Sequence, residues 1–409
     1  MEDFTPIDKV SLRFGSSPNS DPLTFKPGAL TVFVGPNNSG KSLILRELET
    51  NTRGRIIESV VMALPNLVEI RELLSPLITE QQDNRLTVAW RDILEGTGSS
   101  SSFDRSAEPQ LLGSLYHKFC SLSLRLDGAT RLEMLKLTSL SNARYAPGGI
   151  LGELFQEDSA RQRIREALAE VFNLQFVIDI TDLAHIRVKF SREPLPVADI
   201  EKRVTDDATY YMQRASDLSE FGDGIRAFAG IVAALLSSRY MRILIDEPEA
   251  FLHPPLVRRL GKKLTQLARS RRGNVFAATH SADFIMGCIQ AGTDGLNVVR
   301  LTYSDGVGTS RLLASDELRA LMLDPLIRST GVLGALFNEG AIVCEADRDR
   351  VFYQEINERL LDGGRPGATD CAFLNAQNWQ TTGRVIYPLR RMGIPAAAIV
   401  DLDVLWGLW

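Results

Sequence analysis

At 409 residues, with 44% hydrophobic and 24% charged residues, the chain has the make-up of an ordinary folded protein with room for two or three domains. A net charge of −5 excludes nucleic-acid binding through bulk basicity, and four scattered cysteines (Cys120, Cys288, Cys344 and Cys371) with no CxxC pair argue against a zinc site. The acidic, polar N-terminus MEDFTPIDKV is unlike a secretory signal, and the longest apolar run, Ala227 to Leu236, is too short for a membrane span, so a cytoplasmic protein with no membrane partner is expected.

The stretches KVSLRF and LTFKPGALTVFVGPNNSGKS read as short strands feeding a phosphate loop. Gly35, Gly40, Lys41 and Ser42 satisfy G-x-x-x-x-G-K-S, with the strand ALTVFV before them and the helical pattern SLILRELE after. In such a loop the backbone from Gly35 through Asn37, Asn38 and Ser39 to Gly40 turns N–H groups toward phosphate oxygens. Lys41 reaches the β- and γ-phosphates and the Ser42 hydroxyl ligates Mg²⁺.

From about Arg55 to Leu115 the pattern is mostly helical, in IIESVVMALPNLVEIRELLSPLI and LTVAWRDIL, with GTGSSSS as a flexible loop. About 180 residues separate Lys41 from the next nucleotide motif, more than a compact phosphate-loop domain needs. An inserted helical subdomain over about 55–115, used for dimerisation or coupling, is therefore expected. In SLSLRLDGATRLEMLKL, Asp127-Gly128 predicts a turn between two strands. A helix is expected around Ser159 to Phe172, followed by the strands FVIDI and HIRVKF. Gln156, in GELFQED, is a candidate nucleotide sensor, although a solvated polar face is the better reading.

In LSEFGDGIRAFAGIVAALL a glycine-rich turn (Gly222, Gly224) opens a long apolar helix whose N-terminus offers free N–H groups and a positive dipole end. The run RILIDEPEAFLHP then reads as a buried strand ending in Asp246 and Glu247, with Pro248 forcing a turn. Ligands bind at the carboxyl ends of such strands. Two acids there suit a Mg-nucleotide, one to hold the metal shell and one to activate a water. The next buried strand, in NVFAATHSADF, ends at His280-Ser281; alone, that histidine reads as a satisfied polar group.

In this order, phosphate loop, glycine turn, acidic strand end and histidine, residues 1 to about 310 resemble the ABC-type ATPase heads. The resemblance implies that Gly222 and Gly224 form the signature loop, although Gly222 stands where the family has serine. Backbone amides, the helix dipole and Ser219 are left to meet the γ-phosphate. It implies that Asp246 supports Mg²⁺, that Glu247 polarises the attacking water and that His280 hydrogen-bonds the γ-phosphate. It also implies a head-to-tail homodimer or higher even oligomer sharing ATP between subunits. His253 in PEAFLHPP replaces the aspartate of transporter heads, as in ATPases of the overcoming-lysogenization-defect (OLD) group; a helix-capping role is its alternative.

Beyond Leu333, the strand AIVC ends in Glu345, and Asp349 lies four residues on, one helical turn away. A later apolar run, GIPAAAIV, ends in Asp401 and Asp403, which share a side of an extended segment. Four such carboxylates could converge on one or two Mg²⁺ or Mn²⁺ ions. Glutamate at one strand end and DxD at another resembles a Toprim domain, and a Toprim domain behind an ABC-type head is the layout of OLD-family nucleases, including the nuclease subunit of Gabija-type antiphage systems. The fold expected is α/β: an ABC-type ATPase domain over 1–330 and a Toprim domain over 331–409. Only the N-terminal part of the Toprim domain is expected, since the sequence stops at Trp409, six residues after Asp403.

The function implied is an ATP-gated, Mg-dependent DNA endonuclease of antiphage defence, with Glu345 catalytic. DNA and a protein such as a helicase or reverse-transcriptase component would be its partners. The alternative is a regulatory ABC-type ATPase scaffold that holds or activates a partner effector, with the Toprim part inactive. An SMC-like head is disfavoured because the insert shows no sustained heptads. Clusters such as Arg258-Arg259, Lys262-Lys263 and Arg390-Arg391 read as solvated faces sooner than as DNA contacts.

Overall fold

The computed structural model describes residues 6–50, 53–62, 70, 78–80, 85–89, 100–104, 122–139, 149–197, 199–304, 306–325, 327 and 331–402. Its centre is a six-stranded sheet in the order Val307–Leu313, Leu296–Ser304, Leu30–Val34, Asn274–Ala278, Arg242–Asp246, Ser123–Leu126. All strands are parallel except the first, which pairs antiparallel with Leu296–Ser304. LTVFV and NVFAA are buried at every position, as strands covered on both faces must be.

Alternate residues face opposite layers. Phe33, Leu244, Phe276, Val299 and Leu301 meet Ile44, Leu45 and Leu48 of the helix Lys41–Thr50 on one side. That layer is completed by an antiparallel sheet of Thr24–Phe25, Ile7–Leu12 and Ile57–Met62. On the other side Val32, Ile243, Ile245, Val275 and Ala277 meet the helices Asp223–Leu236, Pro254–Arg269 and Ala282–Gln290. Because the middle strands are parallel and in register (Asp246 with Ala278, Ala278 with Phe33), their carboxyl ends emerge together. The phosphate loop, the acidic pair and His280 follow those ends directly.

Two expectations change here. Within 55–115, expected to be mostly helical, the described residues include the strands Ile57–Met62 and an antiparallel meander of Ile78–Glu80, Arg85–Ala89 and Ser100–Asp104, with Ile70 helical. Most of the remaining residues of that stretch lie outside the described residues, and the dimerisation role with them. Short apolar runs such as LTVA carry no period that separates helix from strand, and cross-strand pairing settles them.

The second change is at Asp127-Gly128, which does not join two strands of a hairpin. Ser123–Leu126 instead pairs parallel with Arg242–Asp246 at the sheet edge, and the chain continues into a short helix, Thr130–Glu133. The Asp127 carboxylate accepts the N–H groups of Ala129 (3.0 Å) and Thr130 (2.9 Å), which turns the chain into that helix. The helix Asp158–Phe172 and the antiparallel strands Gln175–Asp179 and His185–Ser191 form as expected.

The C-terminal layer is a three-stranded parallel sheet with Gly340–Cys344 between Cys371–Asn375 and Ala396–Ile399. Val385 and Leu389 of the helix Trp379–Arg391 and the 3-10 segment Val332–Phe337 bury it against the head, and both belong to one continuous core. Arg300, on a central-sheet strand and 3% exposed, donates to Gly393 O (3.0 Å) and Asn338 O (2.8 Å) across the junction. Among the described residues no helix is long and apolar enough to cross a membrane.

Candidate nucleotide site

The phosphate loop connects Leu30–Val34 to Lys41–Thr50. Gly35 has φ +145° and Gly40 φ +91°, conformations that suit glycine, and Asn38 between them is left-handed at φ +60°. A Cβ on Gly35 would lie 2.0 Å from Leu301 O, so the loop runs directly against the neighbouring strand. Asn37 and Asn38 are exposed and Ser39 is buried. Lys41 Nζ donates to Gly35 O (2.7 Å), Pro36 O (2.6 Å) and Ser39 Oγ (3.3 Å), which curls its ammonium back into the loop. Burial lowers its pKa from 10.5 to about 8, against the opposing pull of Glu247, Glu249 and Asp246.

The Ser42 hydroxyl donates to Asp246 Oδ1 at 2.9 Å, joining residues 204 positions apart. Serine oxygen and carboxylate together are the hard donors a Mg²⁺ ion prefers, so these two residues fit the divalent ion of a Mg-nucleotide. Arg125 Nη2 stands 3.5 Å from Asp246 Oδ2 on the other side. Glu247 follows with φ +52°, a left-handed conformation costing a non-glycine residue about 1 kcal/mol or more. His280 Nε2 lies 3.9 Å from Glu247 Oε1, and burial, then Lys41, hold the imidazole pKa below its ordinary 6.5. The imidazole is therefore neutral at pH 7, able to accept at one nitrogen and donate at the other.

Beside the loop opens a cavity of about 380 Å³, lined by Arg13, Phe14, Asn38, Gly40, Arg55 and Tyr303 among others. Phe14 and Tyr303 face each other in it with ring centroids 6.2 Å apart. Phosphate loop, carboxylate pair and aromatic-lined cavity thus adjoin, with the size and chemistry for a nucleotide's phosphates and base.

Gly222 is the N-cap of Asp223–Leu236 and faces open space, since an added Cβ would meet nothing within 4 Å. Gly224 is close-packed: its Cβ would lie 2.7 Å from Phe251 O. Ser219 sits exposed in the 3-10 turn Leu218–Glu220. Gln156 ends the helix Gly149–Gln156 and is exposed. His253 occupies the N-cap position of Pro254–Arg269, but its side chain makes no capping bond.

Three residues that the sequence did not single out complete the site. Glu249, one residue past Pro248, accepts Thr279 Oγ1 (2.7 Å) and the His280 N–H (2.6 Å), and burial raises its pKa. Arg131, 1% exposed, donates from Nε to Asp127 O (2.7 Å), from Nη1 to Glu247 O (2.8 Å) and from Nη2 to Asp246 O. Arg125 is the third. A second acid so near the Asp246-Glu247 pair was a legible signal for Glu249; nothing local marked the two arginines.

The C-terminal carboxylates are only partly brought together. Glu345 and Asp401 follow adjacent parallel strands, and Glu345 Oε2 accepts the Asp401 N–H at 3.2 Å. Asp349 accepts the Ala346 N–H at 3.1 Å, closing the first turn of its own helix. Asp403 lies outside the described residues. Among the described residues no group of three or more histidine, cysteine or carboxylate side chains could hold a metal ion. Of the four acids expected to converge, Glu345 and Asp401 stand at adjacent strand ends, and Asp349 closes the first turn of its own helix.

A mostly parallel sheet with a phosphate loop on one strand, an acidic pair on the next but one and a histidine on the strand between them is the arrangement expected of an ABC-type ATPase head, which this part of the chain resembles. The family model described as "AAA domain, putative AbiEii toxin, Type IV TA system" matches residues 130–287. The chain is 25% identical over 429 residues to the OLD nuclease of Thermus scotoductus (strain ATCC 700910 / SA-01), spanning 92% of this chain and 78% of that protein. The resemblance to the OLD group is borne out by that match. Among solved structures, the SMC head domain from Thermotoga maritima is 13% identical at a TM-score of 0.38, covering 76% of this chain and all of that one. An SMC head bound to the C-winged helix domain of ScpA is 12% identical at 0.43, covering 76% and 99%.

Proposed function

We propose that the protein is an ATP-hydrolysing, OLD-type DNA endonuclease of bacterial antiphage defence, acting in the cytoplasm as a homodimer. The observation that carries the ATPase half is the Ser42–Asp246 pair at 2.9 Å, beside a loop whose lysine already donates to loop oxygens. When ATP and Mg²⁺ are bound, the metal neutralises phosphate charge. Ser42 and Asp246 would hold it, Lys41 would turn from the loop carbonyls to the β/γ-phosphates, Glu247 would take the proton of the attacking water and His280 would donate to the γ-phosphate. The adjoining cavity, lined by Phe14, Tyr303 and Arg55 among others, would take the base. Gly222, facing open space at a helix N-terminus, favours a second molecule closing the site.

The nuclease half draws on the relative's name and on Glu345 and Asp401 meeting at adjacent strand ends. Incubating supercoiled plasmid with Mg²⁺, with and without ATP, tests it on the wild type, Lys41→Ala and Glu345→Ala. Wild type should nick the plasmid, Glu345→Ala should not, and Lys41→Ala should lose only the response to ATP. Absence of nicking in every condition removes this half. A regulatory ATPase scaffold is the second reading, and it is favoured by Asp349 serving as a helix cap. Under it, ATP is hydrolysed and plasmid stays intact.

A further inference from the structure

The Asp246-Glu247 turn is held from beneath by a buried guanidinium. Arg131 lies on the helix Thr130–Glu133, 115 and 116 residues before the two carbonyls it reaches. Its guanidinium donates to three backbone carbonyls, those of Asp127, Asp246 and Glu247. Burying a charge costs free energy unless it is paired and hydrogen-bonded; Arg131, 1% exposed, spends its donors on backbone carbonyls, with the carboxylates of Glu249, Asp127, Asp246 and Glu247 about it, which signals a demand on position. What it positions is strained: Glu247 holds φ +52°, fixed by its N–H to Ala278 O (2.8 Å) on one side and by Arg131 on the other.

The same short helix rests on the glycine-turn helix Asp223–Leu236. A Cβ on Gly230 would lie 2.0 Å from Arg131 O, so backbone meets backbone there with no side chain between. One residue therefore touches both the helix that begins at Gly222 and the turn that carries Glu247. From this juxtaposition we infer that Arg131 is a positioning residue that sets the carboxylate of Glu247 for hydrolysis and ties it to the placement of the Asp223–Leu236 helix.

A second molecule that moved the Asp223–Leu236 helix through Gly222 would carry the Thr130–Glu133 segment with it, since the two backbones meet at Gly230. The guanidinium fork then carries the shift to the carbonyls of Asp246 and Glu247. Lysine cannot replace this: its ammonium keeps the charge but lacks the planar fork that spans two consecutive carbonyls. The inference rests on the ATPase reading above.

The test compares wild type, Arg131→Lys, Gly230→Ala and Glu247→Gln in steady-state hydrolysis, with ATP affinity measured by calorimetry and folding checked by thermal melts. Arg131→Lys should bind ATP within about twofold of wild type while kcat falls on the order of 100-fold, the scale of an ångström-sized misplacement. Gly230→Ala, which leaves every side chain of the site in place, should lower kcat in the same way. Neither change should lower further the residual rate of Glu247→Gln, because both act through Glu247. Arg131→Lys retaining wild-type kcat, or losing ATP affinity and melting temperature with kcat per folded molecule unchanged, overturns the inference and leaves the ATPase reading standing. A wild type that binds no ATP or never hydrolyses it ends both.

Discussion

The carboxylate of Glu249 receives the backbone N–H of His280 at 2.6 Å, tying the turn after one strand to the end of its neighbour. The same carboxylate accepts Thr279 Oγ1 at 2.7 Å. Glu249→Ala strands both donors in a buried place, and stability should fall by about 1–3 kcal/mol. Burial raises the Glu249 pKa above 4.5, so its protonation favours the folded state. That contribution is complete below pH 4.5 and is lost as pH rises through the raised pKa. Urea titrations should accordingly show the gap between wild type and Glu249→Ala widening as pH falls from 7 toward 4.5.

Lys41 titrates near pH 8 in the folded, nucleotide-free protein, against 10.5 when unfolded. Its charge is a burden below pH 8 that is relieved as pH rises toward 10.5, so nucleotide-free stability should climb over that window. Triphosphate oxygens favour the charged ammonium and should raise its pKa again. ATP binding near pH 8.5 should therefore take up protons, read as a buffer-dependent calorimetric enthalpy. Affinity should weaken above pH 8 by no more than about tenfold per unit. No proton uptake at pH 8.5 would contradict this placement of Lys41.

Ser42 and Asp246 should act as one metal-holding unit. Ser42→Ala and Asp246→Asn should each shift the Mg²⁺ dependence of hydrolysis to higher concentration and cut kcat on the order of 100-fold. The double variant should lose far less than the product of the single effects, since each removes the same bound ion. Full additivity in a Mg²⁺ titration would show two independent roles.

Arg300 bridges head and C-terminal layer by donating to Gly393 O and Asn338 O from a 3% exposed position. Arg300→Ala leaves two carbonyls short of a donor and a cavity at the junction, a loss of about 2–4 kcal/mol. Limited proteolysis should then cut near the junction before 331 faster than in wild type, while ATP affinity stays within about threefold. Unchanged cleavage would show that the buried core alone fastens the layer.

The phosphate loop, the acidic pair, His280 and the strand ends bearing Glu345 and Asp401 were all legible in the sequence. Each is a local event: a buried apolar run followed by a turn with the right residue types, and strands of that kind announce themselves. What the tertiary structure alone decided is who stands next to whom. Ser123–Leu126 could read as half of a hairpin, and only its parallel pairing with Arg242–Asp246 carries Arg125 and Arg131 to the Asp246-Glu247 turn. Glu249 became the support of His280 through a hydrogen bond across 31 residues. Asp349, one helical turn past Glu345, also closes the first turn of its own helix. Strand pairing and buried polar satisfaction are long-range, set by which edges and donors are left over once the core has formed, and no window of sequence holds both partners.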